Sequence, residues 1–151
     1  MRIFLFAILT FGIISCASIK DGKPSIKQGV FGKVTWSQGN LMPSPDSPKA
    51  NGSKAVVREV HIYKLTNLSE TEGESPLFIK LKTQLIAKAK TDTNGYFQCK
   101  LKPGNYSIFT AEEEGKLFAN LFEGDGSIMP FEVKANKVTT VNININYKAF
   151  Y

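Results

Sequence analysis

Few residues of the kind that enzymes use for chemistry are present in this sequence. Its 151 residues include one histidine and two cysteines, and their spacing does not suggest a zinc site. A nucleophilic cysteine or serine normally needs a histidine or another base beside it. On a strand, the one histidine, His61, would share a face with Glu59 and Tyr63. We interpret this face as a polar surface; an acid–base cluster of the three side chains is the alternative. We therefore predict no enzymatic activity, no metal and no cofactor.

Concentrated charge of one sign is also missing. The chain has 19 basic and 13 acidic side chains, a formal net charge of +6, yet its lysines are dispersed and form no block of about five or six. Proteins that bind nucleic acid usually present a concentrated basic face, so nucleic acid is not an expected partner. The segment "DTNGYF" (92–97) begins like a calcium loop but lacks the later acidic ligand that such a loop requires.

No apolar run is long enough to cross a bilayer. The longest extends from Ile3 to Ile14; it is 12 residues long and follows the positively charged Arg2. A transmembrane helix needs about 20 residues, whereas the apolar part of a signal peptide has roughly 7–15. The sequence therefore predicts a signal peptide over residues 1–15.

The end of this run, "IISCA", resembles the lipobox of bacterial lipoproteins. Ile13 lies three positions before Cys16, and the small residues Ser15 and Ala17 flank the cysteine. The resemblance implies that the Cys16 thiol is lipidated, that the peptide is cut before it, and that the protein is anchored to a membrane of the bacterial cell envelope. Because Ala17 is not the aspartate that retains lipoproteins in the inner membrane, the resemblance favours the outer membrane. An ordinary cleaved signal peptide with a chance cysteine is the alternative.

The segment that follows is polar and without a clear pattern. Residues 16–28 are therefore predicted to be the lipidated cysteine and a flexible tether, and residues 29–151 a single domain. The remaining cysteine, Cys99, then has no partner for an internal disulfide. In "YFQCKL" it alternates with polar residues, so that Phe97, Cys99 and Leu101 share one face. We expect Cys99 to be a small buried apolar residue rather than a reactive thiol.

Most of the predicted domain alternates between apolar and polar residues, which is the period of a β-strand with one buried face. The segments with this pattern are 29–36, 56–65, 81–90, 95–101, 105–111, 116–122 and 139–148. The segment 81–90 is also compatible with a short helix, but its period of two favours a strand. Many short strands separated by turns predict an all-β fold, namely a single antiparallel β-sandwich of about seven strands.

Two turn signals separate the strands in the middle of the domain. In "DTNG", Asp92 can accept hydrogen bonds from the turn backbone, Asn94 tolerates a positive φ, and Gly95 adopts one without strain. In "KPG", the proline fixes φ and Gly104 allows the chain to reverse. Tyr106 follows two residues later and predicts a tyrosine corner, in which the hydroxyl bonds an upstream backbone group. We expect these residues to serve folding and not catalysis.

The strands and turns together resemble a known family. A strand with "GKV" is followed by "EVHIYKL", by "TDTNGYF" and by "LKPGNYSI", an order that covers residues 29–122 and resembles the carboxypeptidase-regulatory-like, or transthyretin-like, domains. The resemblance implies a seven-stranded Greek-key sandwich that is usually non-catalytic. Members accompany metallocarboxypeptidases, precede nutrient receptors of outer membranes or occur alone in envelope lipoproteins, and some relatives are classed with carbohydrate-binding-like folds.

Two loops contain the best candidates for a binding site. The loop 37–54 has 18 residues, and loops of that length are usually functional or disordered. Its apolar residues, together with two phenylalanines that flank an asparagine in "KLFANLF", predict a face on which a ligand can stack. The residues of this candidate binding face are Trp36, Asn40, Met42, Phe118, Asn120 and Phe122. The alternative is that the loop covers the aromatic side chains as a small second core.

The function predicted from these observations is that of a non-catalytic, membrane-anchored envelope lipoprotein with a structural or protein-binding role. A carbohydrate-binding module of the cell envelope is the alternative. Exposed aromatic rings at Trp36, Phe118 and Phe122 would favour carbohydrate binding, because sugars stack on aromatic faces. Burial of the same rings would favour the structural or protein-binding role.

Overall fold

Within residues 21–42 and 52–150, twelve β-strands form two sheets that enclose a hydrophobic core. The computed structural model describes these two ranges and residue 19. Cys16, and with it the predicted signal peptide and lipid anchor, lies outside the described residues, as do residues 43–51 of the predicted long loop. The predicted all-β sandwich is confirmed.

The strands follow one another with short connections, two of which contain a turn of 3₁₀ helix. In chain order the strands are β1 Gly29–Asn40, β2 Lys54–Ala55, β3 Glu59–Lys64, β4 Thr71–Glu74, β5 Leu77–Leu81, β6 Leu85–Lys90, β7 Tyr96–Cys99, β8 Gly104–Ala111, β9 Leu117–Phe118, β10 Pro130–Val133, β11 Val138–Thr140 and β12 Ile143–Phe150. The two 3₁₀ turns are Leu68–Glu70 and Glu113–Gly115. Among the described residues, no helix has the length and apolar character needed to span a membrane.

The first sheet is organised around β1. The N-terminal half of β1 pairs with β11 and β7, and its C-terminal half pairs with β12 and β2. The pairings with β7 and β2 are antiparallel, whereas β11 and β12 run parallel to β1, so the prediction of antiparallel strands is wrong at these two pairings. Parallel strands need a long crossover connection. Here the crossover is the whole chain between β1 and β11, which no local pattern reveals.

The second sheet is antiparallel throughout and has the strand order β4-β5-β9-β8-β3-β6, with β10 also paired to β8. Its central strand, β8, is buried on both faces, as the complete burial of the adjacent residues Ile108 and Phe109 shows. The core between the sheets also contains Cys99, and the prediction that this cysteine is a buried apolar residue is confirmed.

Two of the predicted strands are interrupted. The segment 139–148 is divided between β11 and β12. Between them, the Val141 N–H still donates to the Phe31 carbonyl of β1 at 2.8 Å. The segment 81–90 is not continuous either, since Leu81 ends β5 and β6 begins at Leu85. These breaks, and the short strands β2, β4 and β10, raise the strand count above the predicted seven.

The predicted strand 116–122 is mostly not a strand. Only Leu117 and Phe118 form a strand, and Phe122 makes an isolated bridge to Ile128. Leu117, Phe118 and Ala119 are all buried. The candidate binding face needs an exposed Phe118, and this part of the prediction is therefore wrong. The reason is that the chain from residue 119 onward folds over the sheet instead of continuing along it.

The predicted turn chemistry is present in the middle of the domain. The Asp92 carboxylate accepts the N–H groups of Asn94 and Tyr96, each at 2.9 Å, and Gly95 has a φ of +81°. Asn94 does not adopt the positive φ that its residue type permits, because Gly95 alone provides the reversal. The predicted turn geometry is therefore present, and the folding role of Asp92 and Gly95 stays a prediction.

The tyrosine corner is also present. The Tyr106 hydroxyl donates to the Lys102 carbonyl at 2.7 Å, and the ring packs 5.6 Å from Phe131. Gly104, at the start of β8, has a φ of 156° and lies against the Tyr106 ring, where an added Cβ would be 3.4 Å from the hydroxyl oxygen. The prediction for Tyr106 is therefore confirmed.

The N-terminal segment is more ordered than its sequence suggests. The Ser25 N–H donates to the Gln98 side chain at 2.9 Å, and the Gln28 amide donates to the Leu101 carbonyl at 2.8 Å. Ile26 is buried between these bonds. The predicted flexible tether therefore does not include residues 21–28, because this polar segment gains its hydrogen bonds from residues far away in sequence.

Candidate functional site

One end of the sandwich contains a cluster of aromatic rings at the border of the core. Trp36 on β1 and Tyr147 on β12 meet edge to face, with 5.2 Å between the ring centroids. On its other side, Tyr147 lies 5.6 Å from Phe118 of the second sheet. Tyr147 therefore joins Trp36 and Phe118, two residues of the predicted binding face, into one cluster that spans both sheets.

Beside these rings lies the carboxylate of Glu112, whose side chain is only 2% exposed. The Arg58 Nε lies 3.3 Å from each carboxylate oxygen, the Thr110 hydroxyl donates at 3.0 Å, and the Tyr147 hydroxyl donates at 3.2 Å. A buried charge is strongly unfavourable unless a counter-charge and hydrogen bonds compensate it. Here one cation and two hydroxyl groups do so, and the resulting network connects the two sheets.

The network changes the acid–base behaviour of Tyr147. Burial and the nearby negative charge of Glu112 raise the pKa of Tyr147 from 10.0 to about 12. Both causes act in the same direction, since each disfavours the negatively charged phenolate. At neutral pH the hydroxyl is therefore a stable hydrogen-bond donor to Glu112.

We expect this shift to make the protein less stable in strong alkali. The raised pKa means that the unfolded chain loses the Tyr147 proton near pH 10, while the folded protein keeps it until about pH 12. The folded state then binds more protons than the unfolded state, so the free energy of unfolding falls as the pH rises from about 10 to about 12. Urea unfolding from pH 9 to 12 will measure this fall, which should be smaller in Tyr147→Phe. Parallel pH profiles for the two proteins would contradict it.

Trp36 already has partners on its aromatic ring. The Arg58 guanidinium carbon lies 5.5 Å and the Lys148 ammonium 5.7 Å from the centroid of its ring, within the range of cation–π attraction. The indole N–H donates to the Gln38 side chain at 3.0 Å. The cavity next to Trp36, lined by Gln38, Gly52 and Lys54, has a volume of about 120 Å³. Ligand pockets typically measure about 300–1,000 Å³, so this cavity is small for a sugar.

The other residues of the predicted binding face lie in different surroundings. Phe118 is completely buried, so it cannot stack on a ligand. The Asn120 amide donates to the Asn144 carbonyl at 3.2 Å and to the Asn146 side chain at 3.0 Å. These two bonds tie the segment after β9 to β12, so the Asn120 amide is already used inside the fold.

Asn40, Met42 and Phe122 are the exposed members of the predicted face. The Asn40 side chain accepts the Met42 N–H at 2.9 Å just beyond β1, and Met42 is 57% exposed. Phe122 is 37% exposed, and its ring packs 6.4 Å from Phe78 in the second sheet. Among the described residues no ring contact joins Phe122 to Trp36. The six predicted residues therefore do not form one face.

Sequence reasoning missed the centre of the cluster. The segment "EEEG" (112–115) has the composition of a charged turn, and its second and third glutamates are exposed. Glu112 instead continues the alternation of Ile108 and Thr110 on β8, both of which are buried. The burial of Glu112 could have been predicted from its position relative to the strand. Side chains two residues apart on a strand point to the same side, so Glu112 points to the same side as Thr110.

The prediction that Glu59, His61 and Tyr63 share one face of a strand is confirmed. Glu59 is hydrogen-bonded to the His61 Nε2 and to the Lys88 ammonium, and these two bonds lower the pKa of Glu59. Tyr63 follows on the same face and packs edge to face on Phe109 at 5.7 Å. The His61 Nδ1 is buried and has no hydrogen-bond partner within the described chain. No group of three histidine, cysteine or acidic side chains in residues 21–42 and 52–150 can hold a metal ion.

The sequence matches no known protein-family model and none of the curated proteins.

Proposed function

We propose that this chain is a non-catalytic lipoprotein of the bacterial cell envelope, anchored through Cys16, whose β-sandwich has a structural or protein-binding role. The observation that carries the proposal is the short distance along the chain between the lipobox and the folded domain. Ile19 already lines a cavity with Ala55 and Asn94, and the three residues from Cys16 to Ile19 can span at most about 11 Å. A lipid on Cys16 would hold the domain close to the bilayer.

We also propose that the sandwich is of the transthyretin-like, or carboxypeptidase-regulatory-like, Greek-key type. Two features support this assignment: the turn stabilised by Asp92 and Gly95, and the tyrosine corner at Tyr106. Both lie in the segments "TDTNGYF" and "LKPGNYSI", on which the sequence resemblance depends. Some members of that family occur alone in envelope lipoproteins, and this arrangement matches the single predicted domain. Ala17, the residue after the lipidated cysteine, favours the outer membrane.

The structural or protein-binding role is favoured over carbohydrate binding by the state of the aromatic rings. Phe118 is buried, and Trp36 contacts Tyr147, Arg58 and Lys148. The Glu112 carboxylate is likewise committed to internal partners. A carbohydrate site built on these groups would have to break contacts that stabilise the sandwich. Of the three predicted rings, Phe122 alone is exposed, and it lies apart from Trp36.

The anchor is tested by metabolic labelling with a fatty-acid analogue in a bacterial host. We expect Cys16→Ala to abolish labelling and to leave the uncleaved precursor, because the thiol is the proposed site of lipid attachment. Cys99→Ala is the matched control and should be labelled like the wild type, since Cys99 is buried in the core. Labelling that persists in Cys16→Ala, or that is lost in Cys99→Ala alone, would contradict the lipoprotein assignment.

A further inference from the structure

A groove far from the aromatic cluster lies between the N-terminal segment and the residues that follow β7. It has a volume of about 580 Å³ and is lined by residues 25–28 and 100–102. Ile26 and Leu101, both mostly buried, form its apolar floor, and Lys27, Lys100 and Lys102 stand at its rim, all three exposed. The groove therefore combines an apolar floor with a basic rim.

Gln28 holds the walls of this groove together. Its amide nitrogen donates to the Leu101 carbonyl at 2.8 Å, and its side-chain oxygen accepts the Asn136 N–H at 2.9 Å. Next to it, the Gly29 N–H donates to the Lys137 carbonyl at 3.1 Å. These bonds bring a third segment, residues 134–137, to the groove.

The three segments carry positive charge that ion pairs balance only in part. Residues 25–28, 100–102 and 134–137 contain five lysines and no acidic residue. Lys134 pairs with Glu132 at 3.5 Å, whereas the other four lysines form no ion pair within the described part of the chain. Lysines that are dispersed in the sequence are thus gathered at one site by the fold.

We propose that this groove binds an acidic peptide segment with an apolar side chain, presented by a partner protein. The lysine ammonium groups would pair with its carboxylates, and its apolar side chain would cover Ile26 and Leu101. The volume lies within the range of about 300–1,000 Å³ that is usual for ligand sites. A phosphate group could also pair with these lysines, but it would leave the apolar floor uncovered, whereas a peptide with an apolar side chain can contact both parts of the groove. The proposal rests on the protein-binding role proposed above.

The position of the groove favours a soluble partner over the protein's own membrane. The N-terminal segment runs along β7, with Ile19 near Asn94, Ser25 bonded to Gln98 and Gln28 bonded to Leu101. The proposed anchor, Cys16, comes just before Ile19, which lies at the Asn94 end of this segment. The groove lies at the other end, where Gln28 bonds Leu101. Asn94 and Leu101 are seven residues apart, so at about 3.3 Å per residue the two ends are separated by at most roughly 23 Å. A partner can therefore reach the groove from the aqueous side.

The proposal is tested on a chain that begins at Ala17. Every described core residue lies between Ile26 and Ile145, so this chain retains the whole described core. The probe is the fluorescein-labelled peptide Gly-Glu-Leu-Glu-Glu-Leu-Glu-Gly, and binding is followed by fluorescence anisotropy at low salt. Two control peptides carry glutamine in place of glutamate, or serine in place of leucine. Vesicles of phosphatidylglycerol with phosphatidylcholine form a separate arm.

We expect the triple variant Lys27→Glu, Lys100→Glu, Lys102→Glu to weaken peptide binding by about tenfold or more, since three ion pairs are lost. The matched control, Lys64→Glu, Lys80→Glu, Lys82→Glu, changes the net charge equally at exposed lysines elsewhere and should weaken binding by less than about threefold. Binding should also weaken with added salt and with either control peptide.

Three results would overturn the proposal. They are absence of peptide binding at millimolar concentration, equal loss in the two triple variants, and lysine-dependent binding to the vesicles in place of the peptide. Each of them leaves the Cys16 labelling result unaffected, so failure of the groove and failure of the lipoprotein assignment can be told apart.

Discussion

Replacing Gly32 by alanine should destabilise the protein more than any other substitution that we propose. A Cβ at this position would lie 1.7 Å from the Val141 carbonyl oxygen and 2.9 Å from the Phe97 ring. The oxygen belongs to the backbone and cannot rotate away, so β1 would have to separate from the chain that links β11 to β12. We expect a loss of about 4 kcal/mol or more. Since domains are typically stable by only 5–15 kcal/mol, such a loss is a large share of the total free energy of unfolding.

Urea unfolding followed by circular dichroism will measure this effect. Gly124→Ala is the matched control, because its Cβ would meet nothing within 4 Å and its φ is not positive. We expect the control to change the free energy of unfolding by no more than about 0.5 kcal/mol. A Gly32→Ala protein with a midpoint close to that of the wild type would mean that β1 and the chain near Val141 are not packed as described.

Glu112→Ala should have the second-largest effect, a loss of about 2–3 kcal/mol. The substitution removes the acceptor of three hydrogen-bonding side chains and leaves the Arg58 guanidinium without its counter-charge. Removing one partner of a fully buried ion pair typically costs about 3–5 kcal/mol. The loss is smaller here because the Arg58 side chain is 31% exposed, so water can partly solvate it.

The control for this experiment is the neighbouring exposed residue, Glu113→Ala, which should be nearly neutral. A double-mutant cycle with Arg58→Ala separates the ion pair from the other bonds of the carboxylate. We expect the double variant to lose less stability than the sum of the two single variants. Additive losses would show that Arg58 and Glu112 do not act together, and equal effects of Glu112→Ala and Glu113→Ala would contradict the burial of Glu112.

The network around Glu112 and the lysine groove divide the domain into two ends with different properties. At one end, opposite charges and aromatic rings satisfy one another and join the sheets. At the groove, Lys27, Lys100 and Lys102 lack such partners among the described residues. The stability predictions above therefore concern the first end, and the binding prediction concerns the second.

The sequence by itself determined those features whose partners lie only a few residues apart. The Asp92 turn closes within four residues, and the Tyr106 hydroxyl reaches a carbonyl four residues upstream. The burial of Cys99 followed from alternation within one strand. These features are predictable because backbone geometry and residue type alone fix which groups can meet over such short separations.

The tertiary structure decided everything that depends on partners distant in sequence. Ser25 bonds a residue 73 positions away, Gln28 one 108 positions away, and β12 pairs in parallel with β1 across almost the entire domain. Local periodicity shows that a segment is a strand and which face is apolar, but not which strand lies beside it. For that reason the sequence predicted a sandwich with a buried face, whereas the burial of Phe118, the pairing of Glu112 and the gathering of the lysines arose only from the packing of the two sheets.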